Sequence, residues 1–464
     1  MKQNNQPTNH THTQPNSGIS SLTKESLLSS MLKFSIPYLI ACFLQTFYGL
    51  ADLFITGQFR GAASISAVSI GSQVMHMLTV MIVGLAMGTT VTISRSIGAG
   101  DKKQAAVSIG NSVFIFSLFA IGVTALLLLF HKGILIALST PQEAMEEARQ
   151  YLLICFIGTP FITAYNVLSS IFRGLGDTKR PMYFVAAAGV INIGLDAFLL
   201  GVVGMGAAGA ALATVISQAV SVVLALIALR RNKSGVRVTR EDFARDKNMI
   251  QMLLGIGFPI AVQEGLIQIS FLIITAIANS RGVDVAAAVG IVEKIISFLF
   301  LVPSAMLSTV SALAAQNGGA GLHERSRKVL RYGNMICAGF GILVFLMCQV
   351  LSVQIVSLFV HNEPEVVRLG GQYLRSYALD CIFAGMHFCF SGFFSAYGKS
   401  FYSFIHNIVS IVTIRVPGAY LASILFPATL YPMGLAAPLG SLLSVVICVI
   451  LYRKNRKNWE ITAL

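Results

Sequence analysis

The chain is short of charge. Only 11% of its 464 residues are Asp, Glu, Lys or Arg, against roughly 25% in soluble domains. A soluble chain of this length would need polar shells for about three domains, and the charge for them is missing. Cysteine is sparse as well. Cys42, Cys155, Cys337, Cys348, Cys381, Cys389 and Cys448 form no CxxC pair and are odd in number, which speaks against a disulfide framework or a zinc site. All seven fall inside apolar stretches and read as small polarizable core filler. No Ser-His-Asp order, His-Glu-x-x-His run or phosphate-binding glycine loop is present, so bond-making chemistry has no motif to rest on. These absences exclude an ordinary soluble enzyme, a disordered protein and a secreted disulfide scaffold.

Apolar residues make up 55% of the chain. They gather in twelve runs, at about 34–57, 66–93, 106–130, 149–172, 182–201, 207–229, 250–278, 285–315, 329–350, 372–396, 402–426 and 434–452. Each approaches or exceeds the ~20 residues that a helix needs to cross a 30 Å hydrocarbon core. A transmembrane β-barrel would show alternating segments of about ten residues, and stretches such as Ala120 to Phe130 do not alternate. The predicted fold class is an all-α integral membrane protein with twelve transmembrane helices.

The net charge of +14 is explained by where the bases lie. Twenty-five Lys and Arg fall in the two termini and in the loops after helices 2, 4, 6, 8 and 10, while Arg60, Lys132, Arg149, Arg281, Arg368 and Arg375 fall on the other side. Cytoplasmic loops retain positive charge, so both termini are predicted to be cytoplasmic. The bases sit in short loops without aromatic interleaving, which makes the lipid bilayer the partner and excludes nucleic acid. The first 18 residues, rich in Asn, Gln, Thr and His, read as a disordered tail. No apolar segment precedes Ser17, so helix 1 is expected to be retained rather than cleaved as a signal.

Features recur at an offset of 221 to 222 residues. Pro37 matches Pro259, Ala67-Val68 matches Ala288-Val289, Gly98-Ala99-Gly100 matches Gly319-Ala320-Gly321, and Gly176 matches Gly398. Met205-Gly206 matches Met433-Gly434 after an insertion of about six residues. The expected organisation is a cytoplasmic tail over 1–30, a six-helix bundle over 31–230, a cytoplasmic linker over 231–248, a second bundle over 249–452 and a tail over 453–464. Six is even, so the halves enter the membrane the same way, as parallel repeats about a central cleft. Rocking one bundle against the other would expose that cleft to each side in turn, which is how a secondary transporter works. Gly84 and Gly88, one turn apart, read as a close-packing surface between helices.

Ionisable residues inside a span cost roughly 2.5–3.5 kcal/mol each on insertion scales, and each is therefore a functional candidate. Asp52, Asp196, Glu264, Glu293, Asp380, Lys294 and Arg415 qualify. With a fixed helical rise, Asp52 lies about 12 Å inside the outer end of helix 1. Asp196 on helix 5 and Thr214 on helix 6 fall at the same level. Gln45, Tyr48 and Asp52 share one helix face, as do Asn192 and Asp196. Faces turned inward would form a polar chamber in which two acids cannot both ionise easily, as a proton carrier requires. The oxygens of Asp52, Asp196, Asn192 and Thr214 also suit Na⁺. The coupling ion, H⁺ or Na⁺, stays open, and no organic cofactor or firm metal site is expected. Glu293 is expected to pair with Arg415 or with another helix, and Asp380 with Arg375 near the outer surface.

The run Pro37, Gln45, Tyr48, Asp52, Gly57 and the following Ile97-Gly98-Ala99-Gly100-Asp101 resemble the first two helices of the multidrug and toxic compound extrusion (MATE) family. Arg173-Gly174-Leu175-Gly176-Asp177-Thr178, Ile191-Asn192 with Leu195-Asp196, and Ala315-Gln316-Asn317 with Ala320-Gly321 are similar to it too. The resemblance spans about 30 to 455. It implies a multi-pass transporter of the bacterial inner or plasma membrane, working as a monomer and exporting small amphipathic, cationic organic compounds by ion antiport. The DinF-like branch implies coupling residues at Tyr48, Asp52, Asn192, Asp196 and Thr214, and a helix hinge at Pro37. The NorM-like branch uses an acid pair in helices 7 and 10, from which Glu264 and Asp380 stand about one turn away. Glu264 is kept as a candidate cleft acid. The alternative is a lipid-linked sugar flippase of the same superfamily, which would favour a strongly basic cleft, whereas only Lys294 and Arg415 are basic within the spans. An intramembrane enzyme built on Asp52 and Asp196 is the third reading.

Overall fold

The computed structural model describes Thr23, residues 25–138, 140–231, 235–360 and 363–455, and Trp459. The tail expected over residues 1–18 lies outside the described residues. Among those described, every long element is a helix, as a chain without water at its backbone must arrange. The spans are α1 Leu27–Phe59, α2 Ala62–Gly98, α3 Lys102–Ala137, α4 Gln142–Gly174, α5 Lys179–Val202, α6 Ala207–Arg230, α7 Lys247–Asn279, α8 Val283–Gly319, α9 His323–Ser357, α11 Phe401–Leu425 and α12 Tyr431–Lys454. The tenth, α10, is a pair, Pro364–Tyr377 and Asp380–Ala396, bent by 42°. The helices outrun the apolar stretches because their polar first and last turns stay helical beyond the hydrocarbon. α1, for example, already begins at Leu27.

The repeat glycines have a geometric cause. Gly100 and Gly321 close α2 and α8 at φ of 77° and 74°, a left-handed backbone that glycine adopts without a Cβ penalty. The next residues then bond back alike, Asp101 N–H to the Ser96 carbonyl at 2.9 Å and Leu322 N–H to the Asn317 carbonyl at 2.8 Å. Gly176 and Gly398 repeat the device after α4 and α10. Identical chain reversals at equivalent positions build two lobes of equivalent topology.

In one lobe α2 packs on α4, α4 on α6 and α1 on α5; in the other α8 packs on α10, α10 on α9 and α10 on α12. The lobes meet mainly where α2 lies on α7 and α8. Both predicted close-packing glycines serve this seam: Gly84 lies against Ala261 and Gly88 against Leu253. The connection between lobes is strapped to α3. Asn111 Nδ2 donates to the Ala244 carbonyl at 3.2 Å, the Asp246 N–H donates to Asn111 Oδ1 at 3.0 Å, and Lys103 pairs with Asp242 at 2.8 Å.

Candidate functional site

Burial along α2 and α8 locates the cleft. From Gly84 to Gly98, and at the equivalent positions Ala305 to Gly318, every residue is buried. Small residues dominate both segments and allow close packing on all sides. In the other half of each helix one face is exposed, and on α2 that face carries Ser69, Gln73 and His76, on α8 Lys294 and Ser297. Such polar groups are costly against lipid, so they face a water-filled space. His76 and Lys294 are within electrostatic reach of each other across it. The face bearing the loops after α2, α8 and α10 is therefore sealed, and the cleft opens away from it. Arg95 helps seal it, donating from Nη2 to the Ala396 carbonyl of the other lobe at 3.0 Å.

The five residues expected at the coupling site come together inside the first lobe. α1 and the α5–α6 turn are fastened by Arg60, which donates to the Met205 carbonyl at 3.1 Å and the Leu200 carbonyl at 3.0 Å. One turn and more below, the Asp52 and Asp196 carboxyl groups face each other, with Asn192 beside them. Thr214 Oγ1 donates to Asp52 Oδ2 at 3.3 Å, and Gln218 Nε2 donates to the Tyr48 hydroxyl at 3.1 Å. Asp52 is 6% exposed, and Asn192 and Asp196 are fully buried. Beyond the Asp52 carboxyl, neither Asp196 oxygen nor the Asn192 amide meets a hydrogen-bond partner among the described residues. Two carboxylates are both acceptors, so a bond between them forms only when one holds a proton or a cation lies between. The α5 backbone widens into a π segment over Ala197–Val202, directly after Asp196, a distortion that recurs at functional sites.

One model for a known family matches this chain twice, over residues 37–198 and 259–421, and its description is MatE. The chain belongs to the MatE family. That double match is the internal repeat seen from outside the chain, one copy per lobe. MATE proteins are transporters, so the chain is a membrane transporter and not an enzyme. It is similar to the probable multidrug resistance protein YpnP of Bacillus subtilis, with 28% identity over 94% of this chain and 96% of that one. It is also similar to a FAD transporter of Shewanella oneidensis, with 24% identity over 91% and 94%. In fold it resembles a MOP superfamily transporter from Pyrococcus furiosus, at a TM-score of 0.89 and 22% identity, over 96% and 99% of the two chains.

For this MATE protein the second lobe corrects one expectation and refines another. Asp380 does not pair with Arg375. Arg375 donates to Ser352 Oγ at 2.8 Å, whereas Asp380 is fully buried and has Arg415 and Ser441 as polar company. Five helical residues already rotate a side chain well around the axis, and the bend of α10 falls between the two. Glu293 finds its partner on another helix, accepting from Thr275 Oγ1 at 3.0 Å. Arg415 instead donates to the Tyr377 hydroxyl at 2.7 Å. Glu264 is half-buried and, among the described residues, has only a long bond, 3.4 Å, from its neighbour Gln263.

Sequence reading passed over several residues. Tyr151 and Cys155 of α4 lie near Asp52, but the apolar stretch of α4 between Arg149 and Arg173 has no charge to draw attention to them. Gln218 stands one turn from Thr214, a periodicity signal that was available. His76 is a titratable residue inside a span and could have been counted with the other seven.

Proposed function

We propose that this protein exports amphipathic, cationic organic compounds in exchange for H⁺ or Na⁺, by rocking its two lobes about the cleft. The facing carboxyl groups of Asp52 and Asp196 carry this reading. Buried together, they hold a proton or a cation more readily than two negative charges, and Asn192 and Thr214 supply the further oxygens that a hard cation prefers. Tyr48, held by Gln218, closes one side. Pro37 of α1 has no N–H to give to the Lys33 carbonyl, so α1 can bend there and carry Asp52 with it. Glu264 would offer a carboxylate to cationic substrates in the cleft. The printed description of YpnP as a probable multidrug resistance protein supports the substrate class. The 25 bases gathered on one side support a bacterial plasma membrane protein with both termini cytoplasmic, so the sealed face would be cytoplasmic and the conformation outward-facing. We read the working unit as a monomer, because the acid pair and the cleft are both complete within one chain.

Dye efflux in inverted vesicles tests this, with proton and sodium gradients imposed separately. One gradient should drive efflux, and Asp52→Asn should abolish it while leaving the protein folded in the membrane. Full gradient-driven efflux by Asp52→Asn would refute the coupling role.

A further inference from the structure

We propose that Lys294 of α8 and His76 of α2 form a site for a carboxylate in the cleft, so that its ligands include amphoteric aromatic compounds with an anionic group as well as a cationic one. This rests on reading the cleft as the place where substrate binds, and it names two residues and a chemical class within that reading.

The internal repeat sets these side chains against each other. At the offset of 221 that relates Gly98 to Gly319, Gln73 of α2 is equivalent to Lys294 and His76 to Ser297. All four are exposed on the faces of α2 and α8 that line the cleft, and the two on each helix stand one turn apart. Equivalent faces of two repeats about a central axis look at each other across it. Lys294 is close enough to His76 for its charge to act there.

Lys294 lacks an anionic partner. It lies eleven residues inside the open end of α8 at Val283, about 16 Å along the axis. That is too deep for its stem to carry the ammonium group out of the span, as lysines near helix ends do. Among the described residues it makes no ion pair. Glu293, its neighbour in sequence, points about 100° away around the helix and accepts from Thr275 of α7. The ammonium group therefore faces the cleft without an ion pair, where an anionic ligand would match it. His76 adds an N–H donor whether neutral or charged, Ser297 a hydroxyl and Gln73 an amide.

The opposite charge lies deeper. On α7 Ala261 sits against Gly84 and Gly265 against Met81 of α2, which places Glu264 where the sealed segment begins. His76 stands about 10 Å nearer the open end, and Lys294 about one turn beyond it. That gap leaves room for an aromatic body between a cationic group held at Glu264 and a carboxylate held at Lys294.

The test is fluorescence anisotropy of the full chain in detergent micelles. One probe is tetramethylrhodamine, which carries a carboxylate beside its delocalised cation, and the other is its methyl ester, which carries the cation alone. No gradient is applied, so the result does not depend on ion coupling. Lys294→Gln should raise the Kd of the acid about fivefold, the value of a partly exposed ion pair, and leave that of the ester unchanged or lower. His76→Leu should act the same way, more weakly. Lys294→Arg should keep the wild-type values, and so should Lys132→Gln on α3, which makes the same change in total charge. Equal weakening of both dyes in Lys294→Gln, an unchanged acid, or an equal loss in Lys132→Gln overturns the proposal, as does an acid that does not bind the wild type. If the acid binds through Lys294 while Glu264→Gln affects neither dye, the carboxylate site stands and the role of Glu264 toward cationic substrates falls.

Discussion

Gly98 of α2 and Gly319 of α8, equivalent residues 221 positions apart, each press against the other's helix at the sealed face. A Cβ on Gly98 would run into the Gln316 carbonyl, and one on Gly319 into the Arg95 carbonyl. Gln316 and Arg95 are themselves equivalent, so the contact obeys the two-fold relation between the lobes.

Gly98→Val or Gly319→Val should therefore force this face apart. The obstacle is backbone, which cannot turn away, and overpacking of this sort costs about 1–3 kcal/mol. That is enough to shift a two-state equilibrium by roughly 5- to 150-fold. A cysteine in place of Met252, half-buried against Arg95 at the seam, should become more accessible to a membrane-impermeant maleimide in the glycine variants. Arg95→Met, which removes the 3.0 Å bond to the Ala396 carbonyl, should act in the same direction. Unchanged labelling in all three variants would mean that these contacts do not hold the face closed.

Thr214→Val should weaken coupling without abolishing it. The hydroxyl gives Asp52 one hydrogen bond at 3.3 Å, and bonds to charged groups contribute about 1.5–3 kcal/mol. The driving-ion concentration for half-maximal efflux should shift by about tenfold or more, with maximal rate largely kept. A variant as inactive as Asp52→Asn would indicate that Thr214 does more than position the carboxylate.

The strap between the lobes should loosen in acid. Burial pushes the Asp242 carboxyl up, but Lys103 and the Thr239 N–H and hydroxyl, at 2.7 and 2.8 Å, outweigh it and hold it below the ordinary carboxylate range. A carboxyl depressed in the folded state lends stability above its unfolded value, near 4, and that stability is lost as pH falls through the lower folded value. The protection of residues 239–246 against hydrogen exchange, relative to the unstructured rate at the same pH, should thus be high at neutral pH and fall below about pH 4. In Asp242→Asn it should be low already at pH 7. High protection in that variant would contradict the strap.

Trp459, the sole tryptophan, should report on the second lobe. It is fully buried, stacks on Phe394 and Tyr452, and donates from Nε1 to the Tyr452 carbonyl at 3.0 Å. Lys399 lies over its ring at 4.7 Å. Emission should be blue-shifted and resistant to iodide, and Phe394→Ala should shift it red. Emission typical of water-exposed indole in the wild type would disprove the docking of this residue.

How legible these features were depended on their range. The twelve spans could be read because each needs its own apolar run, and the repeat because its glycines must reverse the chain at fixed places. Tyr48, Asp52, Asn192, Asp196 and Thr214 were readable because a polar group in a span is rare and helical spacing assigns it a face and a depth. Gln45 was readable on the same grounds and Gln218 by its spacing from Thr214, whereas Tyr151 and Cys155 near Asp52 carry no such mark. Trp459 sits in a short basic stretch after the last span, where composition predicts a tail, and only the aromatic box on α10 and α12 gives it a place.

By itself the sequence determined that this chain is a membrane protein, how many times it crosses, that its halves repeat, and which buried groups stand at one level. These follow from local quantities: apolar length, charge placement and helical rise. The tertiary structure alone decided that Asp52 and Asp196 face each other, that Glu293 turns to Thr275, that Asp380 lies inside and away from Arg375, and which face of the cleft is sealed. Each of those depends on how helices rotate and tilt against one another. In a membrane that is settled by close packing of small residues such as Gly84, Gly98 and Gly319, contacts that join positions far apart in the chain and leave no local pattern.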